Sequence, residues 1–578
     1  MTPYHALLKS YCDTIVRTQI TMPDPYFYGG VPCPACHLLH GRIVDIVYPM
    51  SLMYHLTGEE KYLTCAKAAV AFAEHNLTRD RGGYYNDAGA AWTGPTVFAA
   101  IAFGEALLYH GEALDEATRA EWERIHLRIT EYVRVRFTEE DFHANINYFA
   151  SYVSAMAVAY RLYGEEKHKE AAYKMAAHVR SRFTDDGLLL GEGTHVPTPK
   201  VLYAVDMGYN VEESLPSLTA FAYYMKDEEW MAFVTDAWRA HIGFMLPDGA
   251  WDNSFGTRHY KWTYYGSRTS DGAGVGLAYI WDKDPLFAEA AERNFRLLSA
   301  CSEEGYLYGG AMYKEAGEAP CVHHTFTHAK AIAAMIDHGF AHGEATPLPR
   351  DTAYGLRHYK DMNVSLVAVG DYRATVSGYD YVARREAATG GGTLTMLYHM
   401  KYGPVFAATM ASYERFEQLN MQLSRHADVI RSATVRIEKD GFSSPYALDA
   451  VFTSEEKDGI VTATAQGRLQ DKRGKVTGAD YTLSYRFTEE EIRVTALSAE
   501  DATLHLPVIC GKDGAVRTAA GDACISRENA TVSLHSDENF TYNDKTDRLF
   551  NPVGGFLSAD LTLPLKAGKA VTVTIAVK

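Results

Sequence analysis

Four stretches of this 578-residue sequence combine residue types suited to proton transfer with residue types that grip an anion. The densest is AWDNSFGTRHYKWTYYGSRTSDG, which gathers Trp251, Asp252, Arg258, His259, Tyr260, Lys261, Trp262, Tyr264, Tyr265, Arg268 and Asp271. Trp251 or Trp262 can stack on a sugar ring. Arg258 and Arg268 can hold a carboxylate through the guanidinium fork. A tyrosine beside such cations, Tyr260, Tyr264 or Tyr265, becomes suited to proton transfer because nearby positive charge favours the phenolate. The second stretch, CVHHTFTHAK, carries His323, His324 and His328. His324 and His328 share a helix face by i, i+4 spacing, but the glutamate of a zinc-protease helix is missing. One catalytic histidine and two structural ones is the expectation.

The third stretch, CPACHLLHGR, holds Cys33, Cys36, His37 and His40. A CxxC pair followed by histidines binds zinc when a further ligand arrives from elsewhere. The other reading is a tight loop that points His40, Arg42 and Asp45 into a cleft floor. The fourth, MGYNVEESLP, offers Asn210, Glu212 and Glu213 at a helix start, where acids are favourable in their own right. Glu192 in LLLGEGTH and Asp252 add carboxylates, and a hydrolase needs two of these at a suitable separation.

A degenerate repeat places these stretches together. The phrases HLTGEEKYL, LYHGEAL, LYGEEKHKEAA, MKDEEWMAF and WDKDPLFAEAA recur with Gly58, Gly111, Gly164, Asp227 and Asp284 spaced 53, 53, 63 and 57 residues apart. Each opens an amphipathic helix, and most of those helices end in an acidic-glycine turn such as RDRGG or LPDG, where glycine supplies the left-handed stop. With the N-terminal helix this predicts six helical hairpins, an (α/α)6 toroid over 1–345, incomplete or closed, with an open solenoid as the alternative. In a toroid every outer-to-inner loop lies on one face, and CPACHLLHGRIVD, YYNDAGAAW, FHANINY, LLLGEGTH, AWDNSFGTRHYKWTYYGSRTSDG and CVHHTFTHAK are such loops, so one cleft is expected there. AHGEATPLPRD (341–351) reads as a linker. Beyond it, period-two alternation as in DYTLSYRFTEEEIRVTALS predicts an antiparallel β-sandwich over 352–578.

The net charge of −17 argues against nucleic acid or an anionic membrane surface as partner, while leaving room for an anionic oligosaccharide held by local arginines. No basic-then-apolar leader and no membrane-length apolar run is seen, so a cytoplasmic protein is expected. Eight scattered cysteines fit free thiols.

Helical toroid, sandwich and loop chemistry together resemble the heparinase II/III-like group of polysaccharide lyases. The resemblance implies that an amide or histidine, sometimes with arginine, neutralises a uronate carboxylate, and that Tyr and His exchange protons in β-elimination. Asn147 in ANINY looks like the neutralising residue. Tyr260, Tyr264 or Tyr265 would be the tyrosine, and His323 or His324 the histidine, with His399 of the sandwich as the alternative. His40, Arg42, Glu192, Asn210, Glu213, Trp251, Asp252, Arg258, His259, Trp262 and Arg268 would contact substrate. No cofactor is required, a structural zinc on Cys33 and Cys36 is the one metal considered, and a homo-oligomer is expected. A glycoside hydrolase of the same architecture, glucuronidase-like and using a carboxylate pair, is the competing reading. Either enzyme would act in exo fashion on short oligosaccharides.

Overall fold

The computed structural model describes residues 2–578 apart from 79–81, 88–90, 139–141, 143, 195, 266–271, 273, 417–429 and 528–529. Its first half is six hairpins, each with an outer helix followed by an inner one. They are α1 (Pro3–Thr18) with α2 (Val47–Thr57), α3 (Glu60–Asn76) with α4 (Pro95–His110), and α5 (Glu116–Arg136) with α6 (Ile146–Tyr163). Then come α7 (Glu166–Arg180) with α8 (Met207–Tyr209) and α9 (Leu215–Met225), α10 (Glu228–Ile242) with α11 (Gly274–Leu277), and α12 (Pro285–Ala300) with α13 (Val322–Asp337). The repeat phrases mark the hairpin bends. Gly58 and Gly164 stop α2 and α6 at φ 66° and 68°, a region glycine enters without steric cost. Asp227 and Asp284 cap α10 and α12 by accepting from the amides of Trp230 and Leu286.

Inner helices are buried on nearly every face: α4 and α13 expose almost nothing, and alanine lets them approach closely. They touch in chain order, and α13 packs back on α2 and on α1. The ring is therefore closed, and the open-solenoid alternative is set aside. Closure is non-covalent: the last hairpin meets the first through packing and through hydrogen bonds such as Tyr48 to Asp337 at 2.7 Å and Thr14 to the Glu304 carbonyl at 2.8 Å.

The second half is antiparallel. A five-stranded sheet runs in chain order from Gly355–Tyr359 to Gly403–Ala407, and faces a thirteen-stranded sheet. Val367, Leu397 and Phe406 of the first meet Leu483, Tyr485, Leu506 and Leu561 of the second in one core. The sandwich also joins the toroid: Met396, Tyr398, Ile509 and Phe556 belong to the helical core.

At that junction Arg350 donates to Asp252 at 2.9 Å, both side chains fully buried, and Thr375 donates to the same carboxylate. Breaking a buried pair strands the remaining charge. Arg350→Met is therefore expected to cost about 3–5 kcal/mol in chemical denaturation. Adding Asp252→Leu should recover most of it, and equal losses in the single and double variants would refute this account.

Candidate active site

The starts of the inner helices meet at one end of the toroid, as the repeat requires. Their unpaired amides give that end partial positive charge, which favours an anionic ligand. The candidate side chains sit in these first turns and in the loops that lead into them.

Asn147 lies in the first turn of α6 and is buried. Its backbone N–H donates to Glu192 at 3.1 Å and its side-chain amide donates to Glu213 at 2.5 Å. Glu192 accepts in turn from the Arg258 guanidinium at 3.2 Å. Arg258 lies over the ring of Tyr209, 4.1 Å from its centroid, and the Lys261 ammonium stands 5.4 Å from the same ring. These contacts link an amide donor, two carboxylates, two cations and a tyrosine in one cluster.

Local sequence explains the arrangement. Asp206 caps α8 through the Tyr209 amide, and its other oxygen accepts from the backbone N–H of Arg258 at 2.7 Å. One carboxylate thus fixes both the tyrosine and the arginine that covers it. Gly208 leaves room for Trp262, whose ring a Cβ would meet at 2.4 Å. Directly after Tyr209 the helix widens into a π turn over Asn210–Ser214, with the Leu215 amide bonded to the Asn210 carbonyl five residues back. Pro216, which lacks an N–H, follows at once. Such turns recur at functional sites because they re-aim side chains; here the turn carries Glu213 to Asn147.

Burial pushes the Glu192 carboxyl up to about 8, against the pull of Arg258 and with Asp206 and Glu213 adding to the rise. A carboxyl raised in the folded state contributes full stability below its ordinary value near 4.5 and loses it as pH climbs through about 8. Glu192→Gln lacks that loss. Its stability relative to the parent should climb by at most about 1.4 kcal/mol per pH unit between those limits, then level off. A flat difference across denaturation curves from pH 4 to 9 would show that Glu192 titrates at its ordinary value in the folded protein.

Two further aromatics belong to this end. Trp92, before α4, is 40% exposed and donates through its indole N–H to the Tyr148 hydroxyl at 3.1 Å. Tyr148, next to Asn147, lies within electrostatic reach of Glu213, Arg258 and Arg42. Arg42 pairs with Asp45 at 2.6 Å and lies over Phe98, 3.9 Å from its centroid. At the start of α13 the rings of His323 and His324 stack at 5.4 Å, and neither nitrogen of His323 has a partner among the described residues. Tyr209, Tyr148 and Trp92 were not singled out in the sequence, although Tyr209 lies within MGYNVEESLP, Tyr148 within ANINY and Trp92 within YYNDAGAAW.

Other residues read from the sequence lie elsewhere. Trp251 and Trp262 are core residues, 0% and 1% exposed, not open sugar platforms. Asp252 serves the domain junction. Tyr264 donates to Asp248 and packs on Phe556; burial raises it well above the usual phenol range. Tyr260 packs against Phe416 with Met410 and Val553. Asn210 donates to the Leu189 carbonyl at 2.9 Å, so it holds a loop. His259 is bonded to the Gly256 carbonyl at 2.7 Å, and burial lowers it to about 4. His399 packs on Tyr372 in the sandwich. His40 sits buried among cysteines, 3.0 Å from Cys36 and 3.9 Å from Cys321. The backbone of Tyr265 pairs with Trp251; its side chain, with Arg268 and Asp271, lies outside the described residues. No helix among the described residues is long and apolar enough to cross a membrane.

Comparison with known proteins adds independent findings. Residues 8–351 match the model of the ulvan lyase N-terminal domain, and 356–578 match that of the ulvan lyase C-terminal domain. A broad-specificity ulvan lyase of Formosa agariphila is 38% identical over 514 residues, covering 86% of this chain and 80% of that protein. Among solved structures, a chondroitin AC lyase of Streptomyces coelicolor covers 100% of this chain and 80% of its own (TM-score 0.57, 12% identity). Heparinase III covers 92% and 75% (TM-score 0.56, 10% identity). At these identities the two structures speak for the fold alone.

Proposed function

The chain belongs to the ulvan lyase family, and we propose that it cleaves ulvan, the polysaccharide named for its Formosa agariphila relative, with Tyr209 as the proton-transfer residue. The enzyme is a polysaccharide lyase that cuts uronic-acid-containing chains by β-elimination. The hydrolase alternative is not carried further.

The carrying observation is the placement of Tyr209 under Arg258 and beside Lys261, one contact away from the Asn147–Glu192–Glu213 cluster. The C5 proton of a uronate is weakly acidic while the neighbouring carboxylate is charged. A hydrogen bond from Asn147 and the charge of Arg258 draw that charge off and stabilise the enolate-like state. Tyr209, lying under Arg258 and beside Lys261, takes the C5 proton. The electron pair forms the C4–C5 double bond as the C4–O bond breaks. The phenol formed in the first half then returns the proton to the leaving oxygen. Trp92, open to solvent beside Tyr148, offers a face on which a sugar ring can stack. Trp92→Ala is expected to raise KM roughly tenfold, about 1.4 kcal/mol, with kcat little changed; a fall in kcat alone would refute a binding role.

The deciding experiment records ultraviolet absorbance and product mass on ulvan. An absorbing product, with mass conserved across the cut, establishes elimination. Uptake of one water without new absorbance would overturn it. The size distribution of early products distinguishes exo from endo action: a single small product supports the exo mode, and random internal cuts oppose it.

A further inference from the structure

Cys33, Cys36 and His40 precede the first inner helix, and Cys321 stands at the N-terminus of the last, 281 residues beyond His40. The segment from Pro32 to Leu39 is a tight loop closed by a bridge between its ends. Its turn is completed by the His37 amide bonding to the Cys33 carbonyl at 2.9 Å, with His37 at φ 58°. That turn folds the CxxC pair and His40 onto one side, and α13 brings Cys321 to them.

The four ligand atoms lie within 4.8 Å of one another. The Cys33 and Cys321 sulfurs are 3.6 Å apart, and the His40 nitrogen is 3.0 Å from Cys36 and 3.9 Å from Cys321. A tetrahedral ion with metal–sulfur bonds of about 2.3 Å and a metal–nitrogen bond of about 2.0 Å has sulfur–sulfur edges of about 3.7 Å and sulfur–nitrogen edges of about 3.5 Å. The 3.6 Å sulfur pair matches that figure and the two sulfur–nitrogen distances fall on either side of it, whereas sulfurs 3.6 Å apart are not bonded to each other. Cys33, His40 and Cys321 are buried. Three soft thiolates and an imidazole, with no fifth position to fill, suit a closed structural zinc site more than a catalytic one.

We propose that Cys33, Cys36, His40 and Cys321 bind one zinc ion that clamps the last hairpin of the toroid to the first. The clamp falls at the one seam of the ring that chain continuity does not cross, where α13 meets α1 and α2. Zinc there stabilises closure and holds the first turn of α13, including His323, whose ring lies 5.3 Å from that of His40. The inference is independent of the substrate and of Tyr209.

The test measures metal in the full-length protein purified without chelator, by elemental mass spectrometry, alongside non-reducing peptide mapping. One zinc per chain is expected. Cobalt(II) added to metal-stripped protein should give thiolate-to-cobalt charge-transfer bands at one equivalent. Cys321→Ser should weaken zinc binding at least 100-fold, Cys510→Ser should leave it unchanged, and chelation should lower the Tm of the parent. If Cys321→Ser fails to fold, the cobalt titration and the chelator shift on the parent still decide. Less than a tenth of an equivalent of zinc with no cobalt bands, stoichiometric iron, or a disulfide joining any two of Cys33, Cys36 and Cys321 would each overturn the proposal.

Discussion

Tyr209→Phe is expected to lower kcat about 10²–10⁴-fold on ulvan, the range for loss of a positioned acid–base group, while leaving KM and folding nearly unchanged. The substitution removes one oxygen and keeps the ring on which Arg258 lies, so the packing that locates Arg258 survives. The rate of ultraviolet-absorbing product under saturating substrate reads the effect, and circular dichroism with thermal melting confirms the fold. Two parallel variants separate the competing tyrosines. Tyr264→Phe removes a buried donor to Asp248; it should cost stability, of order 1–3 kcal/mol, with activity per folded molecule retained. Tyr260→Phe alters a residue packed on Phe416 and should behave as the parent does. A Tyr209→Phe enzyme within tenfold of the parent, or a loss on Tyr260→Phe equal to that expected for Tyr209, would move the proton transfer elsewhere.

Why Tyr209 escaped a reading of MGYNVEESLP is instructive. A tyrosine flanked by Met207 and Gly208 at a helix start fits ordinary packing, and the cations that set it apart, Arg258 and Lys261, arrive from a loop about fifty residues later. Asp206, which ties the two segments together, shows nothing unusual in sequence. The toroid was legible because periodic burial, glycine stops and aspartate caps repeat every 53–63 residues, and a local rule applied six times compounds. The loop 249–265 was legible only as polar and aromatic. Whether a side chain there faces cleft or sandwich depends on partners such as Arg350, Thr375 and Asp248, which no spacing rule locates. Glu192, Glu213 and Arg258 stood out as carboxylates and a guanidinium in the loops and first turns of one face, whereas Asn147 stood out only through the family resemblance. The CxxC motif was visible, but Cys321 joins it only through ring closure.

Asn147→Asp should be nearly as damaging, and for a reason that tests the chemistry rather than the shape. One amide hydrogen of Asn147 engages Glu213, leaving the second for the substrate carboxylate. The isosteric acid removes that donor and sets a third carboxylate beside Glu192 and Glu213. It opposes the charge it should neutralise, so kcat/KM is expected to fall about 10³-fold, roughly 4 kcal/mol of transition-state stabilisation. Methyl-esterified uronate substrate supplies the control. An ester needs no charge neutralised before the C5 proton leaves, so the ratio of parent to variant should shrink to about tenfold on the ester while staying near 10³ on the acid. If the ratio is the same on both, Asn147 holds Glu192 and Glu213 in place and does not touch the carboxylate. The task of withdrawing charge would then fall to Arg258, and Arg258→Met would be the variant whose defect the ester relieves.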